Sequence, residues 1–527
     1  MIYHCEDHTC NYWDEGEKLP ERCPQCGRKL LRANEADMTG DDWTALGNTL
    51  WDAEASDKKR MVDCFRKAAY LGSAWGVCNL GICMEQGNGV EADPVQAFWL
   101  YQQAVEMGSL NAVCYLGVCY QYGIGTAPDA EKAAELYCKA AEYGSPRGQM
   151  LLARAFHDGI GVEADAAEAV HWVRAAAYQR YGEGMYRLGV CYEYGDGVEQ
   201  NWEHAVHWFR EAAESGVSTA MTDLGYCYEK GCGVEQSWEQ AFSWYRRGAE
   251  CGYPVSMSNL GLCYKRGYGV EQNWQEAIKW YEQGAQCGDL QSMHNLACCY
   301  ERGEGVEQNM TEAIRWYTAA AEGGNADDMY ELGWQYDHGE GVEQDMKKAI
   351  CWYERAAEQN HPAAMNSLGE CYAMGRGVPR DLETAMEWYR RAAELGEAMA
   401  DYNMGWHLEQ AGKLSEAYAH YRKAADGNDD SAWWALGRFY ENGVVVAQDG
   451  KEARRCYETG EKLGSVKCKM RLARCKLLGI GDRREKKAGL DLCRQALELA
   501  KESSEKEDYG YEAEMNLLRR TIAENES

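Results

Sequence analysis

The sequence contains few prolines and comparatively few basic residues. Of its 527 residues 8 are proline, and 85 acidic residues outnumber 55 lysines and arginines, giving a formal net charge of −30. Nucleic acids are bound largely through lysine and arginine contacts to phosphate, so this balance argues against a nucleic-acid partner. It argues equally against binding to anionic membranes. The scarcity of proline and a hydrophobic content of 46% indicate a folded, mostly helical chain.

Long apolar runs and targeting signals are also missing. No stretch approaches the roughly 20 apolar residues that a membrane-spanning helix needs. The first residues, Met1 to Cys5, lack the basic and apolar regions of a signal peptide. We therefore expect a cytoplasmic protein whose 24 cysteines are reduced thiols or metal ligands. Export by a route that needs no such signal remains an alternative.

Recognisable catalytic motifs are missing as well. The sequence has no Gly-x-x-x-x-Gly-Lys phosphate loop, no His-Glu-x-x-His zinc motif and no evident Ser/His/Asp set. Its repeated Gly-x-Gly phrase follows a predicted helix rather than a strand, and no lysine comes after it, so it does not predict a phosphate site. These absences predict that the protein is not an enzyme.

A landmark leucine recurs through most of the chain, usually followed by glycine. The step is 36 residues over most of its length, and Met404 takes one of the places. The landmarks are Leu46, Leu80, Leu116, Leu152, Leu188, Leu224, Leu260, Leu296, Leu332, Leu368, Met404, Leu436 and Leu472. A period of this size is typical of a solenoid, in which each unit buries its apolar face against its neighbours.

Each unit has the pattern of two amphipathic helices. In residues 218–252, Met221, Leu224 and Tyr228 share one helical face, and Gly231 and Gly233 end that first helix. Trp244 and Tyr245 then lie in a second helix with a small Gly-Ala pair after them. We call the two helices A and B and number positions from the landmark as zero. The large rings beside small residues predict a packed core rather than a cofactor site.

The phrase Leu-Gly-x-x-Tyr-x-x-Gly-x-Gly-Val, followed by Ala-x-x-Trp-Tyr-x-x-Ala-Ala-x-x-Gly, resembles the Sel1-like repeat family, a relative of the tetratricopeptide repeat. The resemblance implies an all-α fold, a right-handed superhelix of about thirteen helix-turn-helix repeats over residues 40–484. Residues 485–527 would add a last B helix, Lys487 to Lys501, and a capping helix, Tyr511 to Glu524. The resemblance also implies a scaffold or adaptor role in assembling other proteins, and it brings no catalytic residues.

The A helices predict a binding surface. At 100° per residue, positions −2 and +2 fall opposite the apolar face, on the side that lines the concave surface in the related solenoids. Large side chains occupy these positions at Tyr186, Tyr226, Leu262, Tyr330, Trp334, Tyr402 and Trp406. Aromatic residues are enriched at interface hot spots, so they predict a groove for a protein or peptide partner. The alternative is that superhelical packing covers these rings.

Residues 1–35 break the repeat and carry two cysteine pairs. Cys5, Cys10, Cys23 and Cys26 have the number and grouping that surround one tetrahedral Zn²⁺. The Cys-Pro-Gln-Cys-Gly turn resembles that of rubredoxin-like zinc ribbons, although four residues rather than two separate the first pair. His8 is therefore a rival to Cys10 as ligand. A structural zinc would hold a segment too short to fold alone.

The sequence as a whole predicts an interaction scaffold with an N-terminal structural zinc ribbon and protein or peptide partners of unknown identity. Iron in the four-cysteine site would instead make a rubredoxin-like redox protein. An exported effector acting on host protein complexes would use the same binding surface. Exposed aromatic side chains also leave self-association open.

Overall fold

The structure is a computed structural model that describes residues 2–5, 13–15, 30–33, 38–51, 55–506 and 512–526. Within these ranges it contains 27 helices and three short strands, which we number along the chain. The predicted solenoid of helix-turn-helix repeats is confirmed. The chain divides into two compact units, Met1–Asn273 and Trp274–Ser527.

The three strands form an antiparallel sheet in the order β2-β1-β3. They are β1 (Ile2–Cys5), β2 (Trp13–Glu15) and β3 (Leu30–Ala33). All three lie within the segment predicted to be a zinc ribbon. Of the predicted ligands, only the backbone of Cys5 is described. Cys10, Cys23 and Cys26, like the rival ligand His8, lie outside the described residues.

The A helices are the odd-numbered helices of the first 26. They are α1 (Gly40–Thr49), α3 (Ala74–Gln86), α5 (Leu110–Tyr122), α7 (Pro146–Asp158), α9 (Gly182–Tyr194), α11 (Ser218–Lys230), α13 (Pro254–Arg266), α15 (Leu290–Arg302), α17 (Ala326–His338), α19 (Pro362–Met374), α21 (Ala398–Gln410), α23 (Asp430–Asn442) and α25 (Val466–Leu478).

The B helices alternate with them. They are α2 (Ala55–Tyr70), α4 (Pro94–Glu106), α6 (Ala130–Glu142), α8 (Ala166–Tyr178), α10 (Trp202–Glu214), α12 (Trp238–Glu250), α14 (Trp274–Gln286), α16 (Met310–Glu322), α18 (Met346–Glu358), α20 (Leu382–Glu394), α22 (Leu414–Asp426), α24 (Gly450–Lys462) and α26 (Lys486–Lys506). The last helix, α27 (Glu512–Glu526), packs on α25 and α26.

The two loop glycines of a repeat have different roles. Gly231 ends α11 in the left-handed conformation, with φ of 76°, and its N–H donates to the carbonyl of Cys227. Gly233, two residues later, lies so close to the preceding B helix that a Cβ would overlap the carbonyl oxygen of Trp202. The first glycine therefore turns the chain, and the second lets neighbouring repeats approach each other.

The core of a repeat is built on a ring from helix B placed against a glycine of helix A. A Cβ on Gly225 would collide with the ring of Tyr245, which is 1% exposed. The Tyr245 hydroxyl donates to Glu229 at 2.9 Å. Gln236 then donates its side-chain amide to the carbonyl of Glu229 at 2.8 Å. Position +5 thus links helix A to helix B and to the loop.

The repeat is irregular near its C-terminal end. After Met404 a short turn separates α21 from α22, with Gly412 at φ of 75°. The predicted last B helix is longer than expected, since α26 runs from Lys486 to Lys506 rather than from Lys487 to Lys501. Met515 and Leu518 of α27 are buried with Cys493 and Ala496 of α26, so α27 covers the apolar side of the last repeat.

Candidate binding face of the A helices

Successive A helices contact one another inside each unit. Examples are α5 with α7 in the first unit, and α17 with α19 in the second. Polar side chains join them: Asn79 donates to Asn48 at 2.8 Å, and Asn403 donates to Asn366 at 3.0 Å. The exposed sides of neighbouring A helices therefore form one continuous face within a unit, which we call the A-helix face.

The residues predicted at position +2 lie on this face. Tyr226, Leu262 and Trp406 are 45%, 37% and 38% exposed, so part of each large side chain is open to solvent. Trp334 is half-buried, because its ring stacks on that of His338 with centroids 4.3 Å apart. Position +2 thus offers the apolar contact area that interface hot spots use.

The tyrosines predicted at position −2 are half-buried. Tyr186 lies 5.9 Å from the ring of Phe209, and Tyr402 lies 5.6 Å from that of Tyr421. Tyr330 stacks on His361 with ring centroids 5.0 Å apart. Burial raises the pKa of Tyr402 to about 12. These rings belong largely to the packing between helices A and B, and only part of each is available to a partner.

The predicted residues are also divided between the two units. Tyr186, Tyr226 and Leu262 are in the first, whereas Tyr330, Trp334, Tyr402 and Trp406 are in the second.

A large cavity on the A-helix face of the first unit lies where the series of buried rings in the B helices is interrupted. Tyr137 and Phe209 occupy equivalent places in neighbouring B helices, but α8 has Val173 there, opposite Ala153 instead of glycine. The result is an open pocket of about 960 Å³ whose floor includes Leu151, Val170 and Val173. We call it the Val173 pocket.

Three arginines surround the Val173 pocket, in a chain that is strongly acidic overall. They are Arg147, Arg154 and Arg187, and the pocket is also lined by Asp158, Glu183 and Asp196. Arg154 is paired with Asp158 at 3.4 Å. Among the described residues no carboxylate lies within 4.0 Å of the guanidinium groups of Arg147 or Arg187, leaving two arginines available to an anionic group.

A histidine bridges the acidic side of the pocket. Nδ1 of His157 is 2.7 Å from Asp158, and its Nε2 is 3.2 Å from Asp196. The hydrogen bond with Asp158 raises the pKa of His157, with the charge of Asp196 adding to the shift. A proton on His157 cancels one of the two negative charges that the ring bridges, which makes the pocket less unfavourable to an anion.

Each unit has a further cavity. Arg147 also lines a smaller pocket of about 300 Å³ with Trp75 and Tyr115, so it stands between two openings of the same unit. In the second unit a cavity of about 930 Å³ lies between the B helices α20 and α22, on the side away from the A-helix face. Its wall includes Met386, Met404 and His420.

Sequence reasoning missed the Val173 pocket, although a signal was present. An aromatic residue recurs every 36 residues in most of the B helices, and Val173 interrupts that series.

Among the described residues no group of three or more histidine, cysteine, aspartate or glutamate side chains is arranged to hold a metal ion. None of the described helices combines the length and the apolar character needed to cross a membrane.

The Sel1 repeat family model matches the sequence eleven times between residues 76 and 465, with only residues 430 and 431 left out of that range. The chain belongs to the Sel1 repeat family. The repeats around Leu46 and Leu472 lie outside the matched range, yet the structure gives both of them the same helix pair. The resemblance predicted from the sequence is thus confirmed for the repeats.

Two solved structures are similar to this chain. A protective antigen of uropathogenic Escherichia coli, described as displaying an SLR fold, is 30% identical, with a TM-score of 0.59 over 81% of this chain and 90% of that one. A Sel1 repeat protein from Oxalobacter formigenes is 31% identical over 46% of this chain and 96% of that one, with a TM-score of 0.43. None of the curated proteins matches the chain.

Proposed function

We propose that this Sel1 repeat protein is a non-enzymatic scaffold that binds a segment of a partner protein on its A-helix face. The observation that carries the proposal is the Val173 pocket, where a missing ring opens an apolar floor below two arginines that have no carboxylate partner. Sites of this kind, concave and mostly apolar with a few convergent polar groups, are typical of ligand binding.

The chemistry of the pocket favours a partner segment with a carboxylate beside an apolar side chain. Arg187 is exposed, and its guanidinium is suited to bidentate binding of a carboxylate. Arg147 is half-buried with its guanidinium 4.0 Å from the ring centroid of Tyr115, which fixes its position. An apolar side chain of the partner would fill the space that an aromatic ring occupies in the neighbouring repeats.

A comparative capture experiment tests this proposal. Proteins bound by the wild-type chain from lysate are quantified beside those bound by Arg187→Glu, which reverses the charge at the pocket. Trp99→Ala serves as the matched control, since Trp99 is 64% exposed but lies on the B helix α4. We expect partners that Trp99→Ala retains and Arg187→Glu loses at least tenfold. Equal capture by all three proteins would contradict the proposal.

We also propose that the exposed rings of the second unit contribute to partner binding. Trp406 and Trp334 are the large aromatics at position +2 there, and Trp406 has the greater exposure. The same capture experiment with Trp406→Ala and Trp334→Ala should weaken partner binding, and Trp406→Ala should do so more strongly. Undiminished capture by both variants would restrict the binding surface to the first unit.

We further propose that Cys5, Cys10, Cys23 and Cys26 bind one structural Zn²⁺. The support is the spacing of the cysteines together with three antiparallel strands within residues 2–33. Elemental analysis of the natively purified protein should find one zinc per chain, and Cys23→Ser should lose it. A red protein with stoichiometric iron would favour the redox alternative, and His8→Ala compared with Cys10→Ser would identify the fourth ligand.

We propose a reducing compartment, the cytoplasm, as the site of action. The exposed thiols of Cys251, Cys287 and Cys351 support this, since such groups oxidise readily outside the cell. Fractionation of the producing cells tests it. Recovery of the protein in the soluble cell fraction is expected, and recovery in the medium would favour the exported effector.

A further inference from the structure

In two places successive A helices are joined by a polar contact between position −2 of one helix and position −4 of the next. In the first unit Thr222 and Ser256 form this contact through their hydroxyl groups. In the second unit the same two positions hold His294 of α15 and Asp328 of α17. Nδ1 of His294 lies 2.8 Å from Oδ1 of Asp328. The repeat geometry thus places an imidazole against a carboxylate that is completely buried.

A cysteine completes the arrangement. Cys298 occupies position +2 of the same helix, one turn after His294, and its Sγ lies 3.5 Å from Nε2 of the imidazole. The hydroxyl of Tyr317, from α16, lies 3.4 Å from the same sulfur and 3.0 Å from Glu301. Cysteine, histidine and aspartate are therefore joined in series by hydrogen bonds, with a tyrosine hydroxyl on the other side of the sulfur.

The surroundings favour a charge-separated pair of thiolate and imidazolium. The hydrogen bond with Asp328 raises the pKa of His294 to about 10, with the contact to Cys298 adding to the shift. Burial opposes ionisation of Cys298, but its hydrogen bonds with His294 and Tyr317 outweigh burial and lower the pKa of the thiol. The other charged groups around the sulfur are Glu301 and Arg302 of α15 and Glu331 of α17.

Cys298 is also partly exposed. Cys298 and His294 are both only partly buried, and position +2 holds exposed side chains at Tyr226, Leu262 and Trp406. Cys299, the next residue, is fully buried in the core. A thiol that is both activated by an adjacent base and open to small molecules has the properties of a reactive cysteine.

We propose that Cys298 is a nucleophilic thiolate and a modification site, oxidised to a sulfenic acid by hydroperoxides with His294 as the proton donor. The thiolate sulfur attacks one peroxide oxygen, so that an S–O bond forms and the O–O bond breaks. With hydrogen peroxide the departing hydroxide takes the proton of the His294 imidazolium and leaves as water. The sulfur loses two electrons and the peroxide gains them.

Pulse alkylation of the full chain tests the first half of the proposal. The protein is exposed briefly to iodoacetamide at pH 6, and each cysteine peptide is quantified by mass spectrometry. Cys287 and Cys351 are matched controls, because both are exposed thiols of the same unit. We expect the half-buried Cys298 to react on the order of tenfold faster than either control. Equal or slower labelling of Cys298 would overturn the proposal.

Two variants test whether His294 activates the Cys298 thiol or whether exposure alone explains its labelling. His294→Gln keeps a polar side chain of similar length, and Asp328→Asn removes the charge that holds the imidazolium. Both should lower the pH 6 labelling rate of Cys298 about tenfold and leave Cys287 unchanged. Continued protection of the buried Cys299 would show that the repeat is still folded. Undiminished labelling of Cys298 in both folded variants would show that the histidine does not activate the thiol.

The oxidation step has its own readout. After treatment with hydrogen peroxide, a 1,3-dicarbonyl probe that captures sulfenic acids should mark Cys298 in the wild type. The mark should fall at least tenfold in His294→Gln. Rapid alkylation without any sulfenic acid would overturn the peroxide step, while labelling of Cys287 and Cys351 to the same extent would show non-selective oxidation.

Discussion

At the residue scale, the repeat depends on a paired choice between one position of helix A and one of helix B. In most repeats helix A has glycine opposite a large ring of helix B, as with Gly225 and Tyr245. The repeat of α15 and α16 accommodates Ala297 opposite the buried Tyr317. In the repeat with Val173 the opposite residue is alanine. The two positions therefore meet in one volume, so a change at either one alters the packing of the other.

The packing between these two positions can be tested in the repeat that contains Gly225 and Tyr245. Gly225→Ala places a methyl group against the ring of Tyr245 and should destabilise the protein by about 1–3 kcal/mol through overpacking. Tyr245→Val added to it recreates the natural pair of Ala153 and Val173, so the double variant should be less destabilised than the sum of the single variants. A double-mutant cycle from denaturant unfolding measures this, and strict additivity would contradict the shared volume.

The same pairing offers a way to close the Val173 pocket without charge reversal. Ala153→Gly with Val173→Phe copies the pair Gly189 and Phe209 of the next repeat, so a folded protein is expected. The added ring should fill the apolar floor and reduce partner capture at least tenfold, with Gly225→Ala as a control that perturbs packing elsewhere. Full capture by the closed-pocket variant would place the binding site outside the Val173 pocket.

At the scale of the element, two aspartates that cap the N-termini of helices have pKa shifts of opposite direction. Asp429 is the N-cap of α23 and accepts a hydrogen bond from the N–H of Ala432 at 2.7 Å. Burial raises the pKa of Asp429 to about 6, although the N–H of Ala432 opposes the shift. Asp381 caps α20 at an exposed place, and hydrogen bonds from Thr384 lower the pKa of its carboxyl group.

These two caps predict opposite pH dependences. A raised pKa in the folded state means that the folded chain binds the Asp429 proton more tightly, so stability from this group is lost as the pH rises from about 4 to about 6. Asp429→Asn keeps a capping side chain without the buried charge and should stabilise the protein at pH 7.5 by on the order of 1 kcal/mol, with a smaller gain at pH 4.

Asp381→Asn is the matched control for Asp429→Asn. The folded-state pKa of Asp381 is depressed, so its stabilisation is present above the unfolded pKa and is lost as the pH falls through the folded one. The variant should lower stability at pH 7.5 and have little effect at strongly acidic pH. Thermal unfolding at several pH values distinguishes the two, and a shift of the same sign in both variants would contradict the assignment.

Much of this organisation could be predicted from the sequence, because a strict period fixes which residues face the core. Landmark leucines such as Leu224 are buried, and the Gly231 turn ends the A helix as expected. Solvent exposure at position −2 was less predictable, because Tyr186 and Tyr402 touch rings of the following B helix that a helical wheel of one element does not show. The contact between His294 and Asp328 could not be predicted in this way. The two residues are 34 positions apart in different repeats, and only the three-dimensional structure shows that they meet.

At the scale of the whole molecule, the dominant feature is the acidic charge. A formal net charge of −30 on 527 residues produces mutual repulsion that opposes the compact state and that salt screens. Three arginines and three carboxylates line the Val173 pocket, so the charge there is more balanced than in the chain as a whole. The acidic chain as a whole would repel a partner that carries a carboxylate. Binding of such a partner would therefore depend on the arginines of the pocket itself.

The charge predicts a salt dependence of stability. At pH 7.5, raising sodium chloride from low to moderate concentration should increase the midpoint of thermal unfolding, because screening weakens the repulsion in the folded chain. At a pH near the calculated isoelectric point of about 4.9 the same addition should have little effect. Scanning fluorimetry measures both, and a decrease in the midpoint at pH 7.5 would indicate that attractive ion pairs dominate instead.

Site-specific photo-crosslinking in the producing cells tests the central claim most directly. A photoreactive phenylalanine analogue replaces Tyr194, which is 73% exposed and lines the Val173 pocket, or Trp99 on helix B α4. We predict that the Tyr194 position forms a discrete covalent adduct with a partner protein, that Arg187→Glu abolishes it, and that the Trp99 position forms none. A partner adduct formed at Trp99 alone, or one at Tyr194 that is indifferent to Arg187→Glu, would contradict binding through the A-helix face.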